Sequence, residues 1–187
     1  MKKMVSRLSL INLTLFMVLL TSTSCKNDNL ERDMKTFYNR KVSIPYNQMI
    51  KKDCSLYHDS VSDSHFKLVR YAEVFHCSDC QIKQLSSFDN DTYTSGVSQR
   101  IPVLYIVNIP HNVDPTELYS KLCKKRIRGT VYLDTCNAFL QANPDFPITP
   151  MFHTFLLNEN DRVVLIGDPF KNKRMEDLFQ MVIEKGQ

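Results

Sequence analysis

Chemistry in this chain concentrates in one short run, Cys77-Ser78-Asp79-Cys80. Two cysteines at this spacing lie one turn apart if the segment is helical, so each sulfur can reach the other. At a helix N-terminus the first would meet unpaired backbone N–H groups and the positive end of the helix dipole, which favour thiolate over thiol. Thiolate is the species that attacks a disulfide. Cys77 is therefore the candidate nucleophile. Cys80, expected to be the more shielded of the two, is the candidate resolving thiol. Asp79 opposes the first role by placing a like charge nearby, with Lys83 available to offset it and His76 adjacent.

The same residue types could hold metal, but the spacing argues against it. A structural zinc site takes four ligands, usually with a second Cys pair. Cys54, Cys123 and Cys136 stand alone, and His58 and His76 follow no zinc spacing. No metal and no other cofactor is expected. Two other readings stay open: a binding module that keeps the cysteines without turning them over, and a metal-handling protein using His76, Cys77 and Cys80.

A redox pair of this kind needs a strand before it and a helix after it, and the surrounding pattern supplies both. Residues 66–75 (FKLVRYAEVF) have the β-branched and apolar content of a buried strand, and Ile82, Leu85 and Phe88 give the following segment an apolar helical stripe. Residues 101–109 (IPVLYIVNI) read as a central parallel strand. Asp114-Pro115 opens a helix as cap and first helical residue, with Leu118 and Leu122 inward and Gly129 as its stop. A strand over 130–133 leads to Asp134, which caps a helix reaching Ala142. Residues 154–158 and 162–167 form a hairpin, and 173–185 close the chain as a helix with Met175, Leu178, Phe179 and Val182 inward. This alternation, ending in a hairpin and helix, predicts an α/β fold with a mixed sheet.

Residues 1–7 are basic and 8–20 form a mostly apolar run of thirteen residues. That run is shorter than the ~20 residues a membrane span takes and suits a signal segment. Thr21-Ser22-Thr23-Ser24 then precedes Cys25, which resembles a bacterial lipoprotein signal: cleavage would leave Cys25 as a lipidated N-terminus facing the periplasm or the cell exterior. The expected organisation is a signal over 1–24, a tether and extension over 25–65, and one domain over 66–187. The body beyond residue 24 carries 21 basic and 20 acidic side chains, and this balance lacks the basic excess of a nucleic-acid binder. With 187 residues, 43% of them hydrophobic, and four glycines, the chain is neither disordered nor collagen-like.

The order of elements, the place of the C-x-x-C and the closing hairpin and helix resemble the thioredoxin fold. Within it the chain is most similar to TlpA-type thiol-disulfide oxidoreductases, which carry an added helix and strand that residues 113–133 fit. Val131-Tyr132-Leu133-Asp134 resembles their strand-Asp-helix passage, and Thr154-Phe155-Leu156-Leu157-Asn158 their T-F-L-I-D strand. The resemblance implies dithiol–disulfide exchange with protein thiols or disulfides and with an upstream redox partner. It also implies a cis-proline just before the Thr154 strand. That position holds Phe152, with Pro150 two residues earlier, so either a register change lets Pro150 serve or the cis-proline is absent. Pro150, Phe152 and His153 are accordingly the candidate substrate-loop residues.

Overall fold

A computed structural model describes residues 25–52, 64–74 and 78–186, with side chains from residue 30 onward. The sheet is built on three parallel strands, β2 (Phe66–Glu73), β3 (Val103–Asn108) and β4 (Thr130–Asp134). Helices α2 (Ser78–Thr94) and α3 (Pro115–Lys124) make the two crossovers. The hairpin strands β5 (Thr154–Asn158) and β6 (Val163–Ile166) add antiparallel on the β2 side, and β1 (Ile50–Lys52) adds antiparallel to β4. The spatial order is β1-β4-β3-β2-β5-β6. Helix α4 (Ala138–Ala142) follows β4, and α5 (Lys173–Lys185) closes the chain. The mixed sheet and its element order from Phe66 agree with the sequence reading.

Strand periodicity sorts the core into two layers. Leu68, Ala72, Val103, Tyr105, Val107, Val131 and Leu133 face α2, α3 and α5. Val69, Tyr71, Leu104, Ile106, Tyr132, Phe155 and Leu157 face α4 and the segment that carries Phe37, Val42 and Met49. Both faces of the parallel strands are therefore covered, which is why they read as continuous apolar runs. The second layer corrects the expected organisation: part of the extension before residue 66 is core and sheet. Phe37 is 2% exposed, edge-on to Phe146 and Phe155 at 5.4 and 5.2 Å between ring centres.

The described part of the unit that ends at Thr36 is helical, in α1 (Cys25–Phe37). In that helix Lys35 pairs with Glu31 at 2.6 Å, one turn apart. Among the described residues no helix is long and apolar enough to cross a membrane.

Two buried carboxylates pin the helices. Asp89 of α2, 2% exposed, accepts from Tyr105 Oη at 3.1 Å, from the Arg128 and Gly129 backbone N–H groups at 3.0 Å and from Arg128 Nη1 at 3.3 Å. Asp134 accepts from the N–H groups of Cys136, Ala138 and Phe139, so it caps the α4 turn as expected. Asp114 caps α3 through Thr116 N–H at 2.8 Å. That helix stops at Lys125, followed by Arg126 with φ 53°, not at Gly129. Gly129 is required for another reason: a Cβ there would lie 2.5 Å from the Tyr105 ring. In α5 the buried residues are Phe179 and Ile183. Met175 and Val182 pack against the same core as expected, whereas Leu178, expected inward, is 39% exposed at the edge of the stripe.

Candidate functional site

Helix α2 begins at Ser78, five residues beyond the end of β2, so Cys80 lies in its first turn at the C-terminal edge of the parallel strands. In open α/β sheets this edge is where ligands bind. Cys80 is exposed and is disulfide-bonded. Ile82, Leu85 and Phe88 face the sheet, and Cys80 falls off that stripe. Phe75, His76 and Cys77 lie outside the described residues, as do Cys54 and residues 1–24. Asp79, 77% exposed, is paired with Lys121 of α3 at 3.2 Å. The sequence proposed Lys83 for that role; the partner is instead on the neighbouring helix. Hydrogen bonds to Glu117 and to Asp79 raise the Lys121 pKa, which keeps it cationic.

The loop before β5 forms the opposite wall. Pro150 opens a 3-10 turn, Pro150–Phe152, and no peptide bond among the described residues is cis. Two backbone donors of this turn are used internally: Phe152 N–H reaches Thr149 O at 3.0 Å, and His153 N–H reaches Pro150 O at 3.1 Å. The His153 carbonyl accepts from Tyr71 N–H at 2.8 Å, extending the β2–β5 pairing by one residue. The two extra residues are thus taken up as a helical turn, and Pro150 does not stand where the resemblance implied a proline. Phe152 is buried at 5% exposure and contributes to the wall of the second cavity described below.

His153 does reach the site. Its ring lies edge-on to Tyr71 at 5.2 Å and against Phe146 at 5.1 Å, and Nε2 is 2.9 Å from the Pro147 carbonyl. A carbonyl only accepts, so Nε2 carries the proton and Nδ1 is the bare nitrogen. Burial lowers the His153 pKa, opposed in part by the Pro147 bond.

Pro150, His153 and Thr154 line a cavity of about 220 Å³ with Arg70, Tyr71 and Glu73 of β2 and with Gln81 and Gln84 of α2. A second cavity of about 410 Å³ lies on the other side of Pro150 and shares Arg70, Pro150 and Thr154 with the first; Met151, Asp168 and Lys171 also line it. Arg70 stands between them, 3.3 Å from Asp168 and 4.4 Å over the Phe88 ring. At the far end Tyr71 donates to Glu73 Oε1 at 2.9 Å and accepts from Asn108 Nδ2 at 3.1 Å. Burial is the main cause that drives the Tyr71 pKa up, so the phenol stays a donor to the carboxylate. Arg70, Glu73 and Asp168 escaped the sequence reading. The signal for the first two was present: they are charged positions in an otherwise apolar strand, and such positions need a partner or an opening.

The remaining cysteines divide. Cys123, half-buried on α3, is disulfide-bonded, and Cys136 is exposed and free. Among the described residues no group of three or more His, Cys, Asp and Glu side chains is placed to hold a metal ion.

No family model and no curated protein matches this chain. Solved structures do. A thioredoxin-like protein in its oxidised form superposes with a TM-score of 0.55 at 10% identity, covering 81% of this chain and 99% of that one. The thioredoxin domain of a thiol-disulfide oxidoreductase from Bacteroides vulgatus superposes with a TM-score of 0.50 at 7% identity, covering 78% and 97%. At such identities the likeness is one of architecture. Parallel strands flanked by an antiparallel hairpin, with a C-x-x-C where β2 passes into α2, give this chain a thioredoxin-like fold.

Proposed function

We propose that this protein is a thiol-disulfide oxidoreductase of the bacterial cell envelope, acting through Cys77 and Cys80 and held to a membrane by lipid on Cys25. A fold does not by itself name an activity, so the reading rests on the site. The observation that carries it is Cys80: exposed, disulfide-bonded and in the first turn of a helix at the C-terminal edge of the central strands.

The exchange runs in two displacements. A substrate thiolate attacks the Cys77–Cys80 disulfide at Cys77; the Cys77–substrate bond forms, and Cys80 leaves as thiolate and takes up a proton. A second substrate thiolate then attacks the mixed disulfide, releasing Cys77 as thiolate and leaving the substrate oxidised by two electrons. Run backwards, the reduced pair delivers those two electrons to a substrate disulfide. A partner dithiol or disulfide protein restores the starting state in either direction. Helix α2 favours thiolate at its N-terminus, and the Lys121 ammonium neutralises the Asp79 charge that would oppose it.

The test is a trap. A reduced Cys80→Ser variant, mixed with glutathione disulfide, should accumulate a stable glutathione adduct on Cys77, detected by peptide mass, whereas the wild type discharges it. Absence of any adduct on Cys77 removes the catalytic reading. So does a Cys77/Cys80 reduction potential below about −300 mV, the range of inert structural disulfides. Anchoring has its own test: the N-terminal peptide from cells should carry acyl chains on Cys25, and an unmodified Cys25 would retire the membrane part alone.

A further inference from the structure

We infer that Ile148 and Met151 form an apolar lip that selects polypeptide substrates whose reactive cysteine is flanked by an apolar residue and an acidic one; this rests on the oxidoreductase reading above. Ile148 is 92% exposed and Met151 45%. Both belong to the short loop that walls the site opposite α2, and Pro150 between them lines both cavities. Covering such a side chain with an apolar partner would gain the free energy of burying it.

The loop's own geometry says what kind of contact is on offer. An extended substrate chain could pair with free backbone donors, but Phe152 and His153 N–H groups are already satisfied within the turn. Those two donors are not on offer to a substrate chain, which gives the loop's exposed side chains the larger part in selecting it. The charges beside the lip decide the rest. Arg70 is neutralised by Asp168, whereas Lys171, on the same wall as Met151, has no ion-pair partner among the described residues. The second cavity thus carries one uncompensated positive charge next to an apolar rim. An apolar residue over Ile148 and Met151 with a carboxylate toward Lys171 complements both features; a hydrophilic or basic flank complements neither.

The experiment compares three oxidants of the reduced wild-type protein. They are glutathione disulfide, a disulfide peptide with Leu and Glu flanking the cysteine, and the same peptide with Ser and Lys. Wild type should react with the Leu/Glu peptide at least about tenfold faster than with the Ser/Lys peptide, the factor one buried apolar side chain supplies. An Ile148→Ser, Met151→Ser double variant should lose most of that preference, keeping only the part that Lys171 supplies, while keeping its rate with glutathione disulfide. Equal peptide rates in wild type overturn the inference, as does a preference undiminished in the variant. Ile148→Ser alone, at a nearly fully exposed position, repeats the test if the double variant misfolds. Absence of exchange with all three oxidants would instead sink the oxidoreductase reading itself.

Discussion

Replacing Asp89 by alanine should cost this protein about 3–5 kcal/mol, the usual cost of removing one partner from a buried charged network. The carboxylate is 2% exposed and holds α2 to the passage between α3 and β4. Without it, Tyr105 O–H and the Arg128 and Gly129 N–H groups lose their acceptor, at about 1–3 kcal/mol for each group that water cannot reach. Tyr105 cannot escape by ionising, because burial and the Asp89 charge both hold its pKa high. Arg128→Met is the contrasting change. Its side chain is 36% exposed and gives up one outer contact at 3.3 Å and a stacking position over Tyr93, together about 1 kcal/mol. The assay is urea unfolding. With a slope of about 2 kcal/mol/M, the Asp89→Ala midpoint should fall by roughly 2 M and that of Arg128→Met by roughly 0.5 M. An Asp89→Ala midpoint within 0.5 M of wild type would refute the reasoning, since it would mean the backbone donors find other acceptors at little cost.

His153 gives a pH dependence of known sign. Its folded pKa lies below that of the unfolded chain, so the unfolded state binds the proton more readily, and stability is complete above about pH 6.5 and declines as pH falls. His153→Gln, which keeps a donor for the Pro147 carbonyl, should flatten the change in urea midpoint between about pH 7.5 and 5. An unchanged slope would mean that neither Glu73 nor Arg70, the charges facing this ring, leaves it the titrating group. Alkylation of the native, unreduced protein should label Cys136 and leave Cys80 and Cys123 untouched until a reductant is added. Label on either of the latter two beforehand contradicts the disulfide assignment.

The order of elements from Phe66 onward was legible because each strand and helix announces itself locally. Residues 103–107 are an unbroken apolar run, Asp114-Pro115 opens a helix, and Asp161, at φ 57°, turns the hairpin. Gly167, at the end of the hairpin, has a φ of 110°, a conformation that favours glycine. The edge strand at Ile50–Lys52 was not legible, since three residues carry too little pattern to distinguish them from loop. The exposure of Leu178 was equally hidden, because an apolar residue at the edge of a helical stripe fits the same periodicity as one at its centre.

The C-x-x-C and its chemistry belong to the sequence alone: reactivity at that spacing is a property of residue type and local helix, and no distant contact is needed to name it. The surroundings of the pair belong to the tertiary structure. Lys121 reaches Asp79 from 42 positions along the chain, Arg70 meets Asp168 across the sheet, and the loop at Pro150 closes its own backbone bonds and turns Ile148 and Met151 outward. Charge pairing and exposure depend on distance in space, and only the folded sheet sets those distances.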